Sequence, residues 1–281
     1  MALTSGHSLV HGPIGVFDSG YGGLTVLREI RRALPDADYI YLGDNARAPY
    51  GTRSFELVYR FTLEAVRRLF AEGCPLVILA CNTASAKALR SIQQRDLAAI
   101  DPLRRVLGVI RPTVEAIGVH TRTRKVGLFG TPGTVVSRSY DMEIAKLYPD
   151  IEVFSHACPM WVPLVENLEA DGDGADYFVR RDVEALFGNA ADIDTLILGC
   201  THYPLLLDKI RKYVPEGTDI LSQGAIVAAS LLDYLKRHQD MDAAITRSGS
   251  VRYLTTEEPE KFESLAGVFM SDALKAEKIV L

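Results

Sequence analysis

The chain has 281 residues, 48% of them hydrophobic and 24% charged, with a formal net charge of -5 at pH 7. That is ordinary globular composition, and it excludes a disordered chain. It also lacks the clustered excess of Lys and Arg that a phosphate backbone demands, so no nucleic-acid partner is expected.

Residues 1–13 are small and polar, without the basic stretch and apolar core of a secretory signal. The first apolar run, Ile14-Gly15-Val16-Phe17-Asp18, reads as a strand entering a small-residue loop at Ser19 and Gly20. An amphipathic helix over 24–34 follows, ended by Pro35. The next helix covers 55–71: Val58, Phe61, Ala65, Val66 and Leu69 make its apolar stripe, Ser54 is its N-cap and Gly73 its stop. Residues 75–80 form the longest strongly apolar run, far short of the roughly 20 residues that cross a bilayer. No membrane partner is therefore expected, and a cytoplasmic location is. That strand ends in Cys81-Asn82-Thr83. A crossover between two units is expected at 109–112, because Pro112 follows a short strand. Arg122, Arg124 and Lys125 are a small basic run on a solvated surface. Residues 126–130 then repeat the strand and small-residue loop, at Thr131-Pro132-Gly133. Residues 169–175 are a polar, glycine-rich surface loop. A second short apolar strand at 195–199 ends in Cys200-Thr201-His202. A helix at 224–237, a strand at 251–255, a helix at 259–270 and a last strand at 278–281 are expected to return to the first unit.

Two kinds of segment thus occur twice, at similar spacing. The strands are continuous apolar runs, the mark of parallel strands buried on both faces. Alternation with helices predicts an α/β fold of two similar domains. Each is a mainly parallel sheet flanked by helices, the pair pseudo-twofold related with the active site between them. The first domain takes 1–109 plus 225–281 and carries Cys81; the second takes 110–224 and carries Cys200. Ligands in such folds bind beyond the carboxyl ends of the strands, where Ser19, Cys81, Thr131 and Cys200 fall.

The four cysteines, Cys74, Cys81, Cys158 and Cys200, show no C-x-x-C spacing, and a reducing cytosol disfavours disulfides. A free Cys is most often a small buried hydrophobe, which is the reading for Cys74 and Cys158. Cys81 and Cys200 stand at matching places in the repeat, each ahead of a helix whose N-terminus favours a thiolate. Polar residues follow both, which turns the reading toward working thiols. Asp18 could exchange protons with Cys81 or cap a helix. His202 could act as an acid and base or as a hydrogen-bonding partner. Glu166 follows an apolar run and either points inward or is a surface acid. Gly20-Tyr21-Gly22-Gly23 matches part of a dinucleotide loop, but Thr25 stands where its third glycine belongs. No Walker phosphate loop, H-E-x-x-H or G-x-S-x-G occurs, and the six histidines do not cluster. Neither a metal nor a cofactor is expected.

Together these motifs resemble the glutamate racemase family, over nearly the whole chain after about the first dozen residues. The resemblance rests on Gly15-Val16-Phe17-Asp18-Ser19-Gly20, on Gly43-Asp44-Asn45 with Ala48-Pro49-Tyr50-Gly51, and on Ala80-Cys81-Asn82-Thr83-Ala84-Ser85. Gly108-Val109-Ile110, Gly130-Thr131 with Thr134, Ser137 and Tyr140, Val162-Pro163-Leu164-Val165-Glu166 and Leu198-Gly199-Cys200-Thr201-His202-Tyr203-Pro204 complete it. It implies a cofactor-free enzyme that interconverts L- and D-glutamate for bacterial peptidoglycan. It implies Cys81 as the base toward D-glutamate, assisted by Asp18, and Cys200 as the base toward L-glutamate, assisted by His202 and Glu166. It implies a substrate site lined by Asp18, Ser19, Pro49, Tyr50, Gly51, Asn82, Thr83, Thr131, Thr134, Thr201 and His202. A homodimer is common among such relatives. Arg111 departs from the acidic residue expected after Gly-Val-Ile, a change that bears on the domain interface or oligomer rather than the chemistry. Two alternatives stay open on sequence: an aspartate or other amino-acid racemase of the same superfamily, and a non-catalytic amino-acid-binding or regulatory protein.

Overall fold

The computed structural model describes residues 9–190, 192–270 and 273–281. Its strands are β1 (Ile14–Asp18), β2 (Tyr39–Gly43), β3 (Leu76–Leu79), β4 (Arg105–Gly108), β5 (Lys125–Gly130), β6 (Glu152–Ala157), β7 (Thr195–Gly199), β8 (Asp219–Leu221), β9 (Val251–Thr255) and β10 (Ala276–Lys278). They form two sheets, one of six strands in the order β10-β9-β2-β1-β3-β4 and one of four in the order β6-β5-β7-β8. Every pairing is parallel. The repeat in the sequence is therefore a repeat of topology: β2-β1-β3-β4 recurs as β6-β5-β7-β8. The strands that lead into cysteine, β3 and β7, hold equivalent places. Every residue of β1, β2, β3 and β7 is buried, as strands covered on both faces must be. β9 extends the first sheet beside β2, with Val251 opposite Tyr39 and Thr255 opposite Gly43.

Local chemistry accounts for the helices. In Phe55–Ala71 the Ser54 hydroxyl accepts from the Leu57 N–H at 3.3 Å, and Gly73 ends the run at a φ of 92°, in the left-handed region that favours glycine. Pro112 follows the short strand β4, as expected, and lies in the first turn of the helix Ile110–Ile117, where a missing N–H breaks no helical bond. Three expectations shift. The loop at 169–175 ends early, because Asp173 starts the helix Asp173–Asn189 and buries Ala175. The helix expected over 259–270 stops at Ala266, followed by Gly267. The last strand is Ala276–Lys278 rather than 278–281. The Ile279 N–H still reaches the Thr255 carbonyl at 2.8 Å, but Val280 turns out into solvent. No described helix is long and apolar enough to cross a membrane.

Trp161 is fully buried, its ring 4.9 Å from Phe129 and 4.8 Å from Tyr203. Trp161 begins the short helix Trp161–Glu166 and so anchors the element that carries Glu166. Trp161→Ala is expected to cost about 3–5 kcal/mol of stability, read as a fall in the urea midpoint. A cost below about 1 kcal/mol would remove Trp161 from the core.

Candidate active site

The loops that follow β1, β3, β5 and β7 meet one another across the two sheets. Register sets the first group. Phe17 pairs with Leu79, and the Ala80 N–H continues the ladder to the Phe17 carbonyl at 2.8 Å. Asp18 and Cys81 therefore leave neighbouring strands side by side. Cys81 caps the short helix Asn82–Lys87: its sulfur accepts from the Ala84 N–H at 3.4 Å and lies 3.4 Å from the Ser19 hydroxyl. The helix end nevertheless does not lower this thiol's pKa. Burial pushes it up to about 12, the Asp18 charge adds to the rise, and the hydrogen bonds from Ser19 and Ala84 oppose it only in part. Asp18 is buried as well. Its Oδ1 accepts from the Gly20 N–H at 2.9 Å, while its Oδ2 has no hydrogen-bond partner. Burial raises the Asp18 pKa, against the pull of His202 and the N–H groups of Gly20 and Gly23. The N-cap of the following helix is Gly22, not Asp18.

The influence of Asp18 on Cys81 is measurable. Asp18→Asn keeps the shape and removes the charge, so Cys81 should be alkylated faster at pH 8. The expected gain is about tenfold in rate. Peptide mass analysis in a Cys200→Ser background would follow the rate, and an unchanged rate would mean that the carboxylate is not felt by the thiol.

The second thiol has a different setting. Cys200 is followed by a turn and the 3-10 helix Tyr203–Leu206, not by an α-helix. Its sulfur instead faces His202 Nδ1 at 3.9 Å, and His202 Nε2 lies 2.9 Å from Glu166 Oε1. The Glu166 carboxylate can only accept, so Nε2 carries hydrogen and Nδ1 is the nitrogen turned to the thiol. Burial pulls the imidazole pKa down, but the bonds to Cys200 and Glu166 outweigh it and carry the value up to about 10. At neutral pH His202 is then an imidazolium set beside Cys200 and near Asp18.

Gly22 explains the glycines of the first loop. A Cβ at this position would fall 2.1 Å from Thr201 Oγ1 and 2.5 Å from His202 Nδ1. The bare backbone of the first half lies directly against the second thiol's neighbours. The Thr25 hydroxyl, within reach of the Thr201 carbonyl at 3.1 Å, tightens the same contact.

A third group is made of hydroxyls. Thr83 Oγ1 is 2.9 Å from Thr131 Oγ1 and 3.4 Å from Thr134 Oγ1, and the last two are 3.1 Å apart. The Gly133 N–H donates to the Gly51 carbonyl at 2.7 Å, which brings the loop at 49–51 to the same edge. Within that loop Tyr50 is buried, but its hydroxyl donates to Asp44, and Pro49 is exposed. The structure thus gathers Asp18, Ser19, Cys81, Cys200, Thr201, His202 and Glu166 around one junction. Gly51, Thr83, Thr131 and Thr134 form a second group, to which neither the Tyr50 nor the Pro49 side chain offers a polar group. Asn82 is tied to Gln223 and Tyr140. Gln223 is a contributor that sequence reading does not find, since nothing local marks it, and Gly22 stands out in sequence only within a partial match to a dinucleotide loop.

Two further features lie outside these groups. A cleft of about 670 Å³ is lined by Ser85, Arg90, Arg111, Glu143, Ser230 and Tyr234, among others. Arg111 pairs there with Glu115 at 2.7 Å and Glu143 at 3.5 Å. His156, Cys158 and Asp182 bring ligand-type atoms within 4.8 Å of one another. Asp182 Oδ1 accepts from Arg181 at 2.7 Å, while its buried Oδ2 has no hydrogen-bond partner.

Comparison with known proteins adds a family. A family model described as Asp/Glu/Hydantoin racemase matches residues 14–231. A glutamate racemase of Roseobacter denitrificans is 43% identical over 269 residues, covering 92% of this chain and 96% of that one. The solved structure of glutamate racemase isoform RacE1 from Bacillus anthracis is 36% identical, with a TM-score of 0.87 over 96% of this chain and 98% of that one. Glutamate racemase from Francisella tularensis, solved in complex with D-glutamate, is 31% identical, with a TM-score of 0.85 over the same shares.

Proposed function

This chain belongs to the Asp/Glu/hydantoin racemase family, and from that premise we propose that it interconverts L- and D-glutamate with Cys81 and Cys200 as its two bases. The observation that carries the proposal is the pair of thiols at equivalent strand ends of a repeated topology. Each has its own acidic partner: Asp18 beside Cys81, and the His202–Glu166 pair beside Cys200.

Racemisation takes the α-proton from one face of the substrate and returns a proton to the other. From L-glutamate, Cys200 as thiolate removes the proton, and the C–H electron pair stays on Cα, spread into the substrate carboxylate. The Cys81 thiol then donates its proton on the opposite face. The raised pKa of Cys81 suits this resting role, because the group stays protonated at neutral pH and is a donor until its proton leaves. From D-glutamate the sequence runs backwards, with Cys81 as the base. The His202 imidazolium offsets negative charge at Cys200, and Glu166 holds the ring in place. The hydroxyls of Thr83, Thr131 and Thr134 and the amide of Asn82 are donors for the substrate carboxylates, and Asp18 is a partner for its ammonium. No step calls for a metal or an organic cofactor.

The two units divide at 1–109 plus 225–281 and 110–224, with glutamate held between them. The D-glutamate formed would feed peptidoglycan synthesis in the cytoplasm. A homodimer is the assembly to test by sedimentation.

A circular-dichroism signal from L-glutamate should decay to zero with the purified protein, and that from L-aspartate should persist. The opposite outcome would make the chain an aspartate racemase, and no decay with either would leave it a binding protein. In deuterated water the newly formed enantiomer should carry solvent deuterium at Cα, because the returning proton comes from a different residue. Product that keeps the substrate's own hydrogen would rule out two bases.

A further inference from the structure

Both crossings between the two halves meet one buried side chain. Val109, which ends the first passage, lies between β4 and the helix Ile110–Ile117. Gln223, just after β8, starts the helix Gln223–Arg237 and so begins the second passage. Gln223 is 3% exposed and its amide is fully engaged. Its Oε1 accepts from Asn82 Nδ2 at 2.5 Å. Its Nε2 donates to Tyr140 Oη at 2.7 Å and Thr113 Oγ1 at 2.9 Å, with the Val109 carbonyl at 3.4 Å. Tyr140 in turn donates to Asn82 Oδ1 at 2.7 Å, and Thr113 donates to the Val109 carbonyl at 2.8 Å.

Asn82, Gln223 and Tyr140 therefore close a ring of three hydrogen bonds, all running in one direction. Thr113 sets that direction: its one hydroxyl hydrogen goes to the Val109 carbonyl, so it accepts from Gln223, and the Gln223 nitrogen must lie on that side. The direction of the ring in turn fixes which end of the Asn82 amide is oxygen and which is nitrogen. It uses one of the two hydrogens on Asn82 Nδ2 and leaves the other free to donate. All three residues are at most 3% exposed, so a broken ring would leave a buried polar group without a partner. Asn82 is the residue directly after Cys81, and its backbone begins the helix that Cys81 caps.

We infer that Gln223 is a positioning residue: through its ring with Tyr140 it holds Asn82, and with it the Cys81 side of the site, to the point where both chain crossings meet. The inference rests on the two-base reading above. Neither Gln223 nor Tyr140 is assigned contact with the substrate.

The test separates the two sides of the site. A glutamate analogue with chloride at Cβ needs only one base. The thiolate takes the α-proton, the C–H electron pair becomes the Cα–Cβ double bond, and the C–Cl pair leaves as chloride. Chloride release from the D analogue reports on Cys81 and release from the L analogue on Cys200, each at saturation so that weakened binding drops out. Gln223→Leu is expected to lower the D rate relative to the L rate by about tenfold, the effect of losing one or two buried hydrogen bonds. Tyr140→Phe, which opens the ring and leaves Gln223 in place, should shift the ratio the same way. The double variant should fall short of the product of the two single effects, because both act through one ring. Equal losses on the two analogues in a variant that melts normally, or multiplicative losses in the double variant, would overturn the inference. Cys81→Ser and Cys200→Ser run alongside test the underlying reading separately, since they should abolish the D and L rates respectively.

Discussion

Cys81→Ser and Cys200→Ser are each expected to lose racemisation by about a hundred- to ten-thousandfold, the usual contribution of a positioned acid or base. Serine keeps the size of the thiol but is far too weak an acid and base to exchange a proton with an α-carbon. Both directions should fall by the same factor, because mirror-image substrates fix the equilibrium constant at unity and tie the two values of kcat/KM together. The losses should separate in chloride elimination: Cys200→Ser should keep the D-analogue rate and Cys81→Ser the L-analogue rate. A reversed pattern would exchange the faces assigned to the two thiols. Full racemase activity in either variant would return that cysteine to the role of a packing residue.

Gly22→Ala should lower kcat/KM by about a hundredfold, at a cost in stability of about 1–3 kcal/mol from the overpacked contact. The backbone at Gly22 has φ -57° and ψ -34°, which any L residue adopts. Local folding is therefore not the obstacle. The added methyl would sit 2.1 Å from Thr201 Oγ1 and 2.5 Å from His202 Nδ1, so the second half's loop must give way by an ångström or so. Displacements of that size at reacting groups cost about two orders of magnitude. Wild-type kinetics in this variant would mean that the two halves do not meet as closely during turnover as they do here. A collapse in stability instead would place the cost in folding rather than in the site.

The strands leading to Cys81 and Cys200 are legible because an apolar run buried on both faces is a local signal. So are the Ser54 cap and the Gly73 stop, which rest on one residue and its nearest turn. The last strand is misplaced because its apolar residues 279–281 suggest burial, whereas Val280 lies in solvent and pairing stops at Lys278. The site is legible only in part. A helix N-terminus should favour a thiolate, yet at Cys81 burial and Asp18 prevail, and both depend on what the fold places around the sulfur. Tyr50 lies in the loop that reaches the hydroxyl group, but its own hydroxyl is taken by Asp44. Gln223 meets Asn82 across 141 positions of sequence, so no local pattern could point to it.

The first sheet is built from both ends of the chain: β1 to β4 come early, while β9 and β10 come after the second sheet is complete in sequence. On a ribosome, where domains fold as units in the order that they become available, β5 to β8 emerge as one uninterrupted stretch and can close their sheet at once. β2 has to wait as an open edge until residues 251–255 arrive to pair with it. An unpaired edge of buried, apolar strand is a template for pairing with other chains. The half that is synthesised first is thus the half that is completed last, and the interval between them is when the nascent chain most needs protection from its neighbours.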